Sequence, residues 1–199
     1  MIFKAENIVK SFGKKNVLRD VSFEMEKGSM YGIVGENGSG KSTLLKIIAG
    51  EWKADSGRVL FDGKLGYCPQ DALLYSQLTI DENFRYFSAA YRIGKEELHN
   101  RCKELTEHFN YGKFSGEQIS SLSGGTKQKL NLSIALLLQP DLLILDEPYN
   151  GFDWDTYLRF WEYTDRLLEK GCTILIVAHL LSEKERFDRI YKIESGCLI

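Results

Sequence analysis

The chain has little of what secreted, metal-binding or membrane-embedded proteins need. Its four cysteines, Cys68, Cys102, Cys172 and Cys197, stand far apart, with no C-x-x-C pair and no histidine at metal-ligand spacing. That excludes a disulfide framework and a zinc module, and predicts scattered reduced thiols in a cytoplasmic protein. No Lys/Arg tract stands out, and the net charge is −2. The expectation is therefore that nucleic acid is not a partner. The longest apolar runs, such as residues 174–178, have the length of a strand and fall far short of a membrane span. The opening residues 1–6 lack the apolar stretch of a signal peptide. Internal repeats, low-complexity segments and linkers are missing as well. With 199 residues, a single domain with a substantial core is expected.

What is present begins with Gly35-Glu36-Asn37-Gly38-Ser39-Gly40-Lys41-Ser42, which fits G-x-x-x-x-G-K-[ST]. The apolar residues 31–34 before it read as a strand, and residues 43–49 after it as a helix closed by Gly50. In that setting the glycines let backbone N–H groups turn inward on phosphates, and the helix N-terminus adds its positive end. Lys41 reaches for the β- and γ-phosphates, the Ser42 hydroxyl is a Mg²⁺ ligand, and Thr43 opens the helix. A nucleoside triphosphate, ATP or GTP, is the expected ligand.

Around this loop the pattern alternates. Val21, Phe23 and Met25 alternate with polar neighbours, so the first thirty residues suggest a small β unit, and residues 58–61 form a further short strand. Residues 78–114 are helical in character, a helix runs over 126–139 until Pro140, and another lies around 156–170. The continuous apolar runs 142–145 and 173–178 read as buried strands of a parallel sheet covered on both faces. The first of these runs ends in Asp146-Glu147. Asp146 is suited to holding Mg²⁺ through water and Glu147 to polarising an attacking water.

Leu122-Ser123-Gly124-Gly125 lies between the two. Alone it reads first as a common helix-entry turn, while a Ser and two glycines opening a helix also make a second anion site of backbone N–H groups and a hydroxyl. With Lys127-Gln128-Lys129-Leu130 behind it, the chain resembles the nucleotide-binding subunits of ABC transporters and matches their signature motif, except that Thr126 stands where glutamine is usual. The resemblance implies an α/β P-loop NTPase fold with a mainly parallel core sheet, an N-terminal antiparallel β subdomain and a small helical subdomain. It implies one nucleotide-binding domain over 1–199, with β subdomain and P-loop core at about 1–70 and 126–199 and the helical part at about 71–125. It makes Phe12 the aromatic that stacks on adenine, Gln70 the glutamine that touches Mg²⁺ and senses the permease, and Asp153 the D-loop aspartate. His179 becomes the histidine bonding the γ-phosphate. Together with Glu147 and Lys41 it forms the catalytic set. His99 and His108 receive no role.

The short interval between Gln70 and Leu122 leaves no room for a long coiled coil, and there is no second cassette and no zinc-binding insertion. The chain looks most like stand-alone ATPases of bacterial drug- and antibiotic-export systems. That implies ATP and Mg²⁺ as cofactors, a homodimer or heterodimer whose Ser123, Gly124 and Gly125 close over the partner's nucleotide, and a separate transmembrane permease holding the protein at the inner membrane face. The alternative is a soluble ABC ATPase serving an assembly machine such as iron–sulfur cluster assembly. A GTP-dependent switch would need an Asn-Lys-x-Asp motif, which is missing. Leu73, Leu74, Tyr75, Leu78, Phe84, Tyr86, Phe87 and Tyr91 crowd behind Gln70 and predict a shallow apolar permease groove with at least two aromatics at its rim.

Overall fold

The structure is a computed structural model that describes residues 1–178 and 183–199. Strands β1 (Phe3–Phe12) and β2 (Lys15–Met25) form a hairpin in which Phe12 pairs with Lys15 across a turn held by Gly13 at φ 59. Then follow β3 (Met30–Val34), helix α1 (Lys41–Ile48), β4 (Ser56–Phe61) and β5 (Leu65–Cys68). Helices α2 (Ile80–Tyr91), α3 (Lys95–His108) and α4 (Gly124–Leu136) lead to β6 (Leu142–Asp146), α5 (Trp154–Glu169) and β7 (Thr173–Ala178). The chain closes with β8 (Arg189–Glu194) and β9 (Cys197–Leu198).

Two sheets result, an antiparallel one in the order β2-β1-β4 and a larger one in the order β5-β6-β7-β3-β8-β9. The larger sheet is parallel except for the β8–β9 hairpin. The period of two sends successive side chains of a buried strand into different cores. On β6, Leu142 and Ile144 join α1 and the antiparallel sheet, whereas Leu143 and Leu145 join the helices on the other face. On β7, Leu175 and Val177 face the first core, and Ile174 and Ile176 the second. The sheet expected to be covered on both faces is so covered, by α1 and β-structure on one side and by α2 to α5 on the other.

The helices differ from the sequence reading at their ends. The stretch 78–114 is two helices, split where Arg92 takes a left-handed φ of 58 and Gly94 caps α3. Thr79 and Glu82 make a reciprocal capping box that fixes the start of α2. Helix α4 begins at Gly124 rather than 126, because Ser123 accepts the Thr126 N–H as N-cap. It ends at Leu136, since a residue before proline is pushed out of the α region, and Gln139 sits at φ 47. Helix α5 begins at Trp154 rather than 156, with Asp153 as its cap. Strands β5, β8 and β9 are additions to the reading.

One buried amide fixes the segment between β5 and α2. Asn83, in the first turns of α2, accepts the Tyr75 N–H at 2.9 Å and donates to the carbonyls of Tyr75 at 3.2 Å and Thr79 at 2.9 Å.

Candidate functional site

The parallel strands end on one side of the sheet, where ligands of such folds bind. There the turn after β3 carries residues 35–40 into α1. A Cβ on Gly35 would lie 2.6 Å from the Ile193 carbonyl oxygen and 2.8 Å from Ser39 Oγ. One on Gly40 would lie 2.9 Å from the Val17 carbonyl oxygen, and Gly40 also stands at φ 111. These two glycines let the loop close against β2 and β8, while Gly38, at φ 76, faces open space. The loop is thus a tight ring in which the Ser39 N–H donates to the Glu36 carbonyl at 3.2 Å, and the buried Ser39 hydroxyl has no hydrogen-bond partner among the described residues. The arrangement suits a phosphate chain.

Lys41, only 7% exposed, threads its ammonium into that ring and donates to the carbonyls of Gly35 at 2.7 Å and Glu36 at 2.9 Å. Burial lowers its pKa, against the opposing pull of Glu147 and Asp146. Asp146, buried at the end of β6, has its pKa raised by burial, with Glu147 adding to the rise. The hydrogen bond from Ser42 and the charges of Lys41 and Lys46 counter it. Ser42 and Asp146 therefore already meet as a pair of hard oxygen donors, and Gln70 lines the same cavity. Such a set fits Mg²⁺, which takes one or two protein oxygens and fills the rest of its shell with water and phosphate.

Glu147 follows at φ 49, a left-handed conformation for a non-glycine residue, with its N–H donating to Val177 at 2.8 Å. Its Oε2 accepts from Gln70 Nε2 at 3.1 Å and from Asn150 Nδ2 at 2.6 Å. Gln70 and Glu147 sit on loops that α4 clamps from beneath. Asn131 donates to the Pro69 carbonyl at 2.8 Å, and Gln128 to the Pro148 carbonyl at 3.2 Å.

These groups enclose a cavity of about 430 Å³, to which Phe12, Asn37, Gly38, Gly40, Lys41, Ser42, Thr43, Gln70, Asp146 and Glu147 all contribute. Of the expected residues, Gly35, Glu36 and Ser39 build the loop behind it, and His179 lies outside the described residues. Ser123, Gly124 and Gly125 do not line the cavity. They open α4, and a Cβ on Gly125 would lie 2.7 Å from the Gly151 carbonyl oxygen, so the Ser-Gly-Gly turn and the loop before Asp153 are in close backbone contact. A Cβ on Gly124 would meet nothing within 4 Å. Trp52, Lys15 and Val17 also line the cavity, and they and Asn150 were missed by the sequence reading. Two aromatics either side of a phosphate loop were the available hint for Trp52. Asn150 gave none.

Residues 18–150 match the sequence family described as ABC transporter. The chain belongs to that family. It is a nucleotide-binding cassette that binds and hydrolyses ATP. The cassette is 34% identical to the linearmycin resistance ATP-binding protein LnrL of Bacillus subtilis, spanning 100% of this chain and 68% of that one. It is 35% identical to the Nod factor export ATP-binding protein I of Burkholderia lata, over 96% of this chain and 67% of that one. With the probable multidrug ABC transporter ATP-binding protein YbhF of Escherichia coli it shares 32% identity, and there the cassette spans only 36% of the relative. Among solved structures, an ATP-binding subunit of an ABC transporter superposes with a TM-score of 0.94 at 28% identity, over 100% of this chain and 88% of that one. The dimeric MJ0796 cassette superposes with a TM-score of 0.89 at 26% identity, over 99% and 96%.

The aromatics behind Gln70 divide in this cassette. Phe84 is buried, while Tyr75 and Tyr86 are 44% and 49% exposed, their hydroxyls hydrogen-bonded at 2.7 Å and their rings 4.3 Å apart. Phe87 and Tyr91 continue the row at 5.5 Å and 6.3 Å. They form a ledge. A cavity of about 670 Å³ lies between α2 and α3, but neither Gln70 nor any of the ledge's four rings lines it.

Proposed function

We propose that this cassette drives an exporter whose membrane-spanning part is a separate polypeptide, and that it works as a dimer with a second copy or a related subunit. The carrying observation is the carboxylate of Glu147, fixed by two amides in one cavity with Lys41, Ser42 and Asp146. The name of the Burkholderia relative supports export, and the dimeric cassette supports a two-subunit arrangement.

In this reading the ATP phosphates rest on the backbone N–H groups of Gly35, Glu36, Asn37, Gly38, Ser39, Gly40, Ser42 and Thr43, and adenine stacks on Phe12. Lys41 exchanges its two loop carbonyls for β- and γ-phosphate oxygens, a stronger, charge-assisted pairing. Ser42, Gln70 and Asp146 would hold Mg²⁺, which would supply positive charge to offset that of the phosphates. Glu147 takes hold of the attacking water, His179 bonds the γ-phosphate, and the partner's signature turn closes the site. The bare backbone at Gly124 suits that approach. Catalysis is then positioning plus electrostatics, the usual means of phosphoryl transfer. The domain division follows the same reading: β subdomain and P-loop core at about 1–70 and 126–199, helical part at about 71–125.

Among the described residues no helix is long and apolar enough to cross a membrane. The Tyr75–Tyr86 ledge is where the membrane-spanning partner docks, at the inner face of the cell membrane. Detergent co-purification tests this. The wild-type cassette should carry with it a protein of several apolar helices, and Tyr75→Glu should lose that protein while binding ATP as before. A Tyr75→Glu cassette that retains the same membrane protein overturns the docking surface, and a wild-type cassette that recovers only soluble assembly proteins overturns the transporter reading.

A further inference from the structure

Two large aromatics stand half-exposed at the outer end of the nucleotide cavity, and the family resemblance accounts for one of them. Phe12 ends β1 and is 46% exposed, while Trp52 follows α1 and is 39% exposed. Their ring centroids are 5.3 Å apart with planes at 66°, an edge-to-face contact. A base cannot enter between rings that already touch in this way. The pair instead forms a corner, with one ring free to stack on a base and the other standing across the base's edge.

Trp52 is placed there by the same helix that carries the phosphate loop. Its backbone N–H donates to the Lys46 carbonyl at 3.1 Å in the last turn of α1, and the Lys46 ammonium lies 4.7 Å from the centroid of its ring. That is a cation–π geometry, which orients the indole. Phe12 comes from the other sheet, so the indole bridges α1 and the antiparallel unit. Lys15 and Val17 of β2 line the same cavity, and the Lys10 ammonium lies 5.6 Å from the Phe12 ring centroid, bonded to Asp55 at 2.8 Å.

We propose that Trp52 is a base-binding residue: with Phe12 it forms a two-sided aromatic seat, Phe12 supplying the stacking face and Trp52 the wall that fixes the base in place. The inference rests on the reading of this cavity as the nucleotide site. The seat recognises a π-face rather than a hydrogen-bond pattern, so adenine and guanine triphosphates should both occupy it.

The test compares a ligand with a base to one without. Trp52→Ala should bind MgATP about five- to tenfold more weakly, the loss expected for part of one aromatic contact. Its affinity for inorganic tripolyphosphate should stay within about twofold, and Trp52→Phe should retain most of the ATP affinity. MgGTP should lose as much as MgATP. An equal loss for ATP and tripolyphosphate, or no loss for ATP, overturns the proposal. A wild-type protein that binds tripolyphosphate and ATP equally well also overturns it, whereas one that binds neither overturns the assignment of the cavity itself. Emission provides a second measurement that needs only the mildest substitution. ATP should change the tryptophan fluorescence of the wild type and of Trp154→Phe, but not that of Trp52→Phe. An undiminished change in Trp52→Phe counts against the seat.

Discussion

Glu147 combines three demands in one residue. It directly follows a buried strand, bends the chain at φ 49, and offers a carboxylate to two amides. A non-glycine residue in the left-handed region costs on the order of 1–3 kcal/mol, a cost that persists at sites where the surroundings fix the conformation. Glu147→Gln keeps the backbone and an acceptor for both amides but loses the charge. It should bind ATP normally and turn over at least about 10²–10⁴-fold more slowly, the range for loss of a general base; turnover within a few-fold of wild type would remove Glu147 from its role. Asn150→Ala leaves the carboxylate charged but removes one of the two amide donors to its Oε2. Steady-state kinetics should then show kcat reduced several-fold with KM for ATP unchanged, and a change in KM alone would contradict positioning by Asn150. At this scale the sequence is uneven to read. Lys41, Ser42, Asp146 and Glu147 are legible because each sits in a contiguous motif whose chemistry follows from spacing. Trp52 and Asn150 act across space, on Phe12 and on Glu147 Oε2, and only the folded chain reveals which neighbours they meet.

Helix α4 shows the same limit for elements. The spacing of Leu130, Ile134 and Leu137 or Leu138 predicts one apolar face, yet Gln128, Asn131 and Ser133 are buried too. A helix enclosed nearly all round has no single face, so periodicity alone cannot separate its core positions from its clamps. Its polar side chains hold the loops at Pro69 and Pro148, and its first turn rests against Gly151. Gly125→Ala should therefore destabilise the fold by about 1–3 kcal/mol through overpacking against backbone. Thermal melting would register this as a Tm lower by at least about 2–4 °C. Gly124→Ala, with open space around it, should melt within about 0.5 kcal/mol of wild type. Equal melting of the two variants would show that the Gly125–Gly151 approach is not a constraint. The buried strands β6 and β7 were readable because an unbroken apolar run of that length is too short to fill a helix and too apolar to lie in a surface loop. The short β5 and β9 carry too few residues for any pattern to emerge.

For the whole molecule, the cavity holding Lys41 and Glu147 does not include Ser123. If the signature turn acts on a partner's nucleotide, the turnover of the isolated cassette should rise per subunit as protein concentration increases. Mixing Lys41→Ala with Ser123→Arg chains should restore activity that neither has alone, because one of the two composite sites is then intact. Activity independent of concentration, with no rescue on mixing, would mean that each chain works by itself.

Asn83 gives the helical region a mechanical property. Tyr75 cannot move relative to α2 without breaking the hydrogen bonds that Asn83 makes to Tyr75 and Thr79. The loop and the helix are one stiff strut.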